Sequence, residues 1–443
     1  MKNARNRYIL KGTEDFVRGE MDNVTLVENA LCLEQMAGRY VLYGCYTSKA
    51  ASLPAFTQLA MSWNAETPRG TVVEAQCRVL VGENWSSWLS FGKWSPFIER
   101  THPEPDKNQP VYIENGILKV AEGRATQAQL RIYLYTDNER ISPLVRLLGV
   151  SVRPADWQKE PANPYGRLIR LPAYSREVRD PALREQLDSP CALASLMNRW
   201  GQDVLPEELA YSMADFKTRD CSDLSFAVAN AGAWGYEARL AYLDPLSVWE
   251  HIKAGESVAL ELCYSTTGEG GTNLLTGSFS DGERQLVPLR GFELTHEGKV
   301  MALVNNCHAP TDREAEKSYA AEELWEAYTG LALLMSGFHK NQVNGAPLRR
   351  HMSLRALTEV GCYLFQDSEG EDQLLEEDFK GTLAATLRDG STWATTAHKS
   401  FHYLEPGPNG SIRIPQELLE PGGKITLYAI WPDGKTLVGE INL

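Results

Sequence analysis

The stretch DSPCALASLMNRWG, Asp188 to Gly201, decides how the chain is read. Ser189 is a helix-capping residue type, and Pro190 suits a first helical turn. Cys191 follows at once. Ala192, Leu193, Leu196, Met197 and Trp200 then recur at helical spacing, and Gly201 suits a helix end. A helix opening on Cys191 sets its thiol among unpaired backbone N–H groups at the positive end of the helix dipole, and both favour thiolate over thiol. That environment prepares a nucleophile, and it is equally an ordinary place for a buried cysteine. The residues that gather around Cys191 decide between the two.

The bulk composition narrows the classes. A chain of 443 residues is too long for one average core, so about two or three domains are expected. Apolar content of 43%, charged content of 23%, 35 Gly and 23 Pro describe a globular chain rather than a disordered or fibrous one. A formal charge of −14 argues against nucleic acid or an anionic membrane as the main partner. No window of about 18 apolar residues exists, so no membrane span is expected. The start, MKNARNRYILKGTEDF, has basic residues but no long apolar run after them. No signal peptide is visible, and the default expectation is cytoplasmic, with unconventional export left open. The eight cysteines stand at 32, 45, 77, 191, 221, 263, 307 and 362, with no CxxC pair, so neither zinc-finger spacing nor a dense disulfide framework is present. Phosphate-loop, dinucleotide-binding, HExxH and GxSxG patterns are absent, and no cofactor or metal ligand is assigned. GEGGTN, Gly268 to Asn273, lacks the lysine and helix of a phosphate loop and reads as a loop. The oligomeric state is not set by the sequence.

Three textures follow one another. Residues 1–153 read as a β-sandwich, jelly-roll or lectin-like, because Thr71 to Val81, Val111 to Val120 and Gln127 to Tyr135 alternate partly as half-buried strands do. Trp63, Trp85, Trp88, Phe91, Trp94 and Phe97 cluster there, either as core and edge packing or as a sugar-binding face. Residues 154–168 are polar and proline-containing and read as a linker. Residues 169–343 read as an α+β domain: the Cys191 helix, a second helix over Ser222 to Gly235, a short helix and buried strand over Asp244 to Leu262, two strands RQLVPLRGFEL and KVMALVNN joined by a turn, and a further helix over Ser318 to Gly330 with Ser318 and Glu322 near its start. Residues 344–443 carry short alternating strands, GTLAATLRDG, GSIRIP, KITLYAIW and KTLVGEINL, and read as a small β-sandwich. LLEEDF within it reads as an acidic surface patch.

The middle segment resembles the papain-like cysteine peptidases related to bacterial double-glycine leader peptidases. The arrangement as a whole resembles bacterial proteins in which such a domain follows an N-terminal β-sandwich. The matching pieces are SWNAETPRGT, WSSWLSFGKWS, QAQLRIYL and SPLVRLLGV in the first segment. In the second they are LPAYSR, SPCALASLMNRWG, SDLSFAVANAGAWG, IKAGESVALEL, QLVPLRGFE and VNN. The resemblance spans roughly residues 50 to 330 and implies a papain-like α+β fold. It implies a cysteine nucleophile at Cys191, a histidine base where Gln285 stands, an orienting aspartate where Asn306 stands, and an oxyanion-holding glutamine where Arg176 stands, with Gln186 as the alternative in another register.

These departures have chemical consequences. A cysteine peptidase needs a base that takes the thiol proton and returns it to the leaving amine. A glutamine amide does not titrate near neutral pH and only donates and accepts hydrogen bonds. General acid–base help is worth about 100 to 10,000-fold, so Gln285 predicts a poor peptidase. His308, close to Asn306, is the replacement base to consider; His296 is weaker, and His251, His339, His351, His398 and His402 carry no local argument. Cys307 adjoins the orienting position and is a candidate redox partner of Cys191. The resulting expectation is a peptidase-like protein with an incomplete catalytic set that binds a peptide or glycan-containing ligand without efficient hydrolysis. An active cysteine peptidase and a structural module with no cleft ligand are the alternatives.

Overall fold

The protein is described here from a computed structural model that covers residues 6–157, 162, 166–263 and 284–338, together with 349–351, 353–357, 362–366, 372–377, 383–386, 392–397, 400–405, 411–419, 422–430 and 436–442. The glycine-rich stretch Gly268 to Asn273, His339 and His398 lie outside those residues. Among the described residues no helix is long and apolar enough to cross a membrane.

Thirteen of the strands within residues 7–154 form one hydrogen-bonded sheet folded around a core, and Gln35–Met36 pairs with Arg39–Tyr40 as a separate hairpin. Its centre is the antiparallel pair Thr71–Val81 and Ala125–Thr136, in which Cys77 faces Leu130. The alternation legible in TVVEAQCRVLV is kept residue by residue: Val73, Ala75, Cys77 and Val79 are fully buried and their neighbours half-exposed. Each of the two buried valines, Val73 and Val79, contributes about 1.5–3 kcal/mol of transfer free energy. The long strand Ala51–Glu66 links the layers. It pairs with Leu144–Pro154 along one edge and with Ile117–Val120 and the start of Ala125–Thr136 along the other. The aromatic cluster divides. Trp63, Phe91 and Trp94 are fully buried core residues, whereas Trp85 and Trp88 are half-buried. The Arg78 guanidinium lies 4.8 Å from both of those rings, and Arg131 lies 3.9 Å from Trp88, so cation–π stacking already occupies these indoles.

The helices, in chain order, are α1 (Thr13–Phe16), α2 (Asp188–Asn198), α3 (Pro206–Met213), α4 (Leu224–Ala233), α5 (Pro245–Ala254) and α6 (Ala321–Ala327). All except α1 accompany a seven-stranded antiparallel sheet. Its order is Tyr236–Tyr242, Tyr328–Phe338, Ser257–Cys263, Arg284–Leu294, Val300–Asn305 and Glu316–Ala320, with Arg167–Leu168 also paired to Arg284–Leu294. Helix α2 is buried from Ser189 to Met197, and its N-cap is Leu187, so Ser189 lies inside the first turn rather than capping it. Helix α5 begins on Asp244, which accepts the N–H of Ser247, and ends on Gly255 in the left-handed conformation. The segment after Ser318 differs from the sequence reading. Glu316–Ala320 is a strand paired with Val300–Asn305, α6 is short, and Tyr328–Phe338 is a long strand. Sheet pairing there outweighs the capping spacing of Ser318 and Glu322. Residues 349–442 contribute two five-stranded sheets. Phe401 of this last body lies 4.2 Å under the Arg179 guanidinium, which forms a fully buried ion pair with Glu207 at 3.0 Å.

The first and second bodies are interlocked through polar side chains. Tyr236–Tyr242 is an edge strand, paired on one side only, so alternate backbone groups at 238, 240 and 242 need partners. Asn64 supplies two: its Nδ2 donates to Ala238 O at 2.9 Å and its Oδ1 accepts the Ala238 N–H at 3.1 Å. Ser62 Oγ accepts the N–H of Leu240, Ser151 Oγ accepts that of Tyr242, and Asn6 Nδ2 donates to Tyr242 O. Helix α4 is buried on every side, and its Phe226, Ala229 and Ala233 belong to the core of the first body. It approaches so closely that a Cβ on Gly232 would lie 2.6 Å from Asn64 Cα. Its N-cap Asp223 accepts the N–H groups of Ser225 and Phe226. Asp223 also faces His102 Nε2 at 2.9 Å, a close charge contact rather than an aligned hydrogen bond, and the His102 ring stacks on Phe226 with centroids 4.0 Å apart.

Two outcomes follow for stability. Gly232→Ala forces atoms into the Asn64 backbone and is expected to cost about 1–3 kcal/mol, read as a lowered urea midpoint; an unchanged midpoint would show that the two bodies do not depend on this approach. Burial opposes the charged His102 imidazole, but Asp223 and Asp215 outweigh it and hold its pKa above the ordinary value. A raised histidine pKa stabilises fully below the unfolded value of about 6.5 and loses that contribution as pH rises through the folded value. Wild-type stability is therefore expected to fall, relative to His102→Gln, between pH 6 and a pH above the raised value; parallel profiles contradict this.

Candidate functional site

Four chain segments converge where α2 begins. The first turn of α2 supplies Asp188 and Cys191, the start of Arg284–Leu294 supplies Gln285, the turn after Val300–Asn305 supplies Asn306, Cys307 and His308, and the segment before α2 supplies Arg176. The turn is held in place from outside the site. Asn305 Nδ2 donates to Pro172 O at 2.9 Å and to Ser195 Oγ at 3.0 Å, and Arg176 N donates to Cys307 O at 2.8 Å. Ser175 is tied to the same turn through its N–H, which meets Asp312 Oδ1 at 2.6 Å.

Asn306 orders the inner wall. Its Oδ1 accepts the His308 backbone N–H at 3.0 Å, and its Nδ2 donates to the Tyr319 hydroxyl at 3.1 Å. Those partners fix which end of the amide is which. Gln285 Nε2 is thereby directed to Asn306 Oδ1, at 3.4 Å, and it also lies 3.4 Å from Cys307 Sγ. Gln285 Oε1 is buried without a hydrogen-bond partner. The result is an amide–amide pair that is only about 2% exposed and holds no group titrating near neutral pH.

Asp188 orders the outer wall. Its Oδ1 meets Arg176 Nη1 at 3.2 Å, Cys307 Sγ at 3.2 Å and His308 Nε2 at 2.8 Å. Cys307 is 5% exposed and Cys191 2% exposed, and the two thiols are close enough to interact. Burial, the Cys191 thiol and the Asp188 carboxylate together push the Cys307 pKa well up, so this sulfur is held as a thiol that donates to Asp188. Burial works against the Arg176 charge, but the Asp188 and Glu185 carboxylates outweigh it and hold its pKa above the ordinary value.

The residues singled out in sequence are thus placed as follows. Cys191, Gln285, Asn306, Arg176 and His308 belong to one side-chain cluster, joined through Cys307 and Asp188. Gln186 lies in the 3-10 turn Arg184–Gln186, and among the described residues no hydrogen bond joins its side chain to the pocket. His296 is exposed in the hairpin turn, and His251 pairs with Glu256 at 2.9 Å. Asp188 carries no functional signal in the sequence: it opens the quoted stretch, but only as an acidic residue in a first helical turn.

A family model described as the peptidase C39 N-terminal domain matches residues 8–152, under half of the chain, so the first body is similar to that domain. No curated protein matches the chain. Among solved structures, the carbohydrate-binding module TmCBM61 in complex with β-1,4-galactotriose is 7% identical, with a TM-score of 0.18, covering 34% of this chain and 85% of that one. The Clostridium thermocellum endo-1,4-β-D-xylanase 10B modules complexed with xylohexaose are 10% identical, with a TM-score of 0.17, covering 37% of this chain and 30% of that one. At those scores neither likeness bears on what this chain binds.

The three-way contact at Asp188 gives a direct test of the thiol assignment. Asp188→Asn removes the carboxylate that helps hold Cys307 protonated, so Cys307 is expected to alkylate faster at a fixed pH, measured by peptide mass mapping after iodoacetamide. An unchanged or slower rate contradicts the assignment.

Proposed function

We propose that this is a peptidase-like protein whose central body is a papain-like α+β unit with an incomplete catalytic set, and that its cleft binds a peptide or glycopeptide rather than cleaving it efficiently. The similarity of residues 8–152 to the peptidase C39 N-terminal domain supports the peptidase-like relationship. The papain-like reading draws on a buried, cysteine-bearing helix packed against an antiparallel sheet, with α2 nearest the strands Ser257–Cys263 and Arg284–Leu294.

One observation carries the loss of hydrolysis. Gln285 donates to Asn306 at the position where the resemblance calls for a histidine and its orienting carboxylate. An imidazole there would take the proton of Cys191 and deliver it to the departing amine. The Gln285 amide has no proton to exchange at neutral pH, so it gives the attacked peptide no general acid for its leaving group, and the nearby His308 imidazole is instead held on Asp188 Oδ1 at 2.8 Å. The neighbouring Cys307 does not replace this function, because burial, Cys191 and Asp188 keep it protonated. What remains is a cluster of hydrogen-bonding groups of fixed direction, a chemistry that supports recognition of a backbone amide. The glycan component of the ligand rests on less, since the half-buried indoles of the first body are already stacked by Arg78 and Arg131.

The test is hydrolysis of a fluorogenic peptide library, glycine–glycine sequences included, alongside calorimetric binding of the same peptides and of glycopeptides. Wild type and Cys191→Ala are expected to give the same background rate and to share at least one bound peptide. Gln285→His with Asn306→Asp is expected to raise cleavage by about 100 to 10,000-fold if the scaffold is otherwise intact. Wild-type turnover that disappears in Cys191→Ala overturns the reading in favour of an active cysteine peptidase, and absence of any bound peptide or glycopeptide overturns the binding role.

A further inference from the structure

We infer that Asp188, Cys307 and His308 form a binding site for one thiophilic divalent cation of the zinc class, on the solvent side of the Cys191 pocket. This goes beyond the peptidase-like reading and does not depend on it, because it rests on three side chains and not on the fate of a peptide. Among the described residues this is the one cluster of His, Cys, Asp or Glu in which the donor atoms of three residues all lie within 4.8 Å of one another.

The geometry suits the ion. Cys307 Sγ and His308 Nε2 lie 3.2 and 2.8 Å from the same Asp188 oxygen. A tetrahedral zinc site with bonds of about 2.3 Å to sulfur and about 2.0–2.2 Å to nitrogen and oxygen has ligand–ligand edges of about 3.4–3.6 Å. The two edges through Asp188 therefore need to open by about half an ångström or less, and the third, between Cys307 Sγ and His308 Nε2, already lies within 4.8 Å, a range that side-chain torsions adjust. One sulfur, one imidazole nitrogen and one carboxylate oxygen form a mixed set that favours zinc over magnesium or calcium, which take oxygen ligands. The side chains of Asp188 and His308 are 22% and 13% exposed, so an ion has an entry path.

Gln285 leaves its Oε1 buried without a hydrogen-bond partner, on a side chain whose Nε2 lies 3.4 Å from Cys307 Sγ. Unpaired buried acceptors are uncommon because their desolvation is not compensated. Three protein ligands leave the fourth position of the ion for a water. Arg176 also meets Asp188 Oδ1, but it already touches Glu177 at 3.3 Å and Glu185 at 3.4 Å, and those carboxylates retain it when the ion takes over. Binding converts the Cys307 thiol to a thiolate and releases its proton to solvent, with no change in oxidation state.

The full chain, stripped with chelator and kept reduced, is titrated with Zn²⁺ by calorimetry and with Co²⁺ by absorption. One equivalent of either ion is expected, the cobalt form showing a thiolate-to-cobalt charge-transfer band. Cys307→Ser is expected to lose the band, and His308→Ala to weaken zinc binding at least about tenfold, while His296→Ala leaves both unchanged. If Cys307→Ser does not fold, the wild type still decides: one equivalent of zinc must protect Cys307 from alkylation. Absence of saturable one-to-one binding, a cobalt band that survives Cys307→Ser, or an unprotected Cys307 overturns the inference. No peptide enters any arm, so failure here leaves the hydrolysis and binding outcomes untouched.

Discussion

The bidentate pairing of Asn64 with the backbone of Ala238 is the constraint on which the remaining architecture depends. An edge strand with free N–H and C=O groups cannot be buried against an apolar surface without a large desolvation cost. Here it is buried against a β-sheet face that presents Ser62, Asn64 and Ser151 instead of aliphatic side chains, and the cost is met group by group. With the strand held, α4 is fixed between two cores, its Asp223 end locked by His102 and by Gly116, where a Cβ would lie 2.4 Å from an Asp223 oxygen. Helix α2 packs on α4, and its first turn carries Asp188 and Cys191. Placement of the pocket residues is therefore a consequence of polar groups on the neighbouring body.

The pocket repeats this device at smaller scale. Asn306 uses its carbonyl for the His308 N–H and its amide for Tyr319, and so directs Gln285 without any charge. The outer wall is different in kind: one carboxylate, Asp188, collects a guanidinium, a thiol and an imidazole. An inner wall of neutral amides and an outer wall of ionisable groups form a graded site.

Much of this was legible in the sequence, and the limits have physical reasons. Period-two alternation located Thr71–Val81 and Ala125–Thr136, and helical spacing located α2 and α4, because each element buries a face against a core and the pattern is local. The same alternation misleads at Ser62 and Asn64. Polar residues between Met61, Trp63 and Ala65 look solvent-facing, yet they are only 2% and 3% exposed, since what they face is another strand's backbone. The apolar run YTGLALLMSGF, a buried strand with two neighbours, has no period to read; its first three residues fall within the helix expected over Ser318 to Gly330, and the rest carries no expected element. His102 and Asp223, like Asp188 and Cys307, are brought together by tertiary packing alone; the latter pair is separated by 119 residues, and no local rule couples them.

The side-chain ladder under Tyr236–Tyr242 also bears on the order of events during synthesis. Domains emerging from the ribosome generally fold as units, N-terminal first. The first body would then complete its sheet while Ser62, Asn64 and Ser151 still face water, where their polarity keeps that surface soluble. When the second body arrives, the same groups serve as a template that sets the register of its edge strand, since Asn64 can pair both groups of only one residue at a time. A chain segment whose temporary solubility and final pairing are provided by the same side chains needs no separate protection against wrong strand partners while it waits.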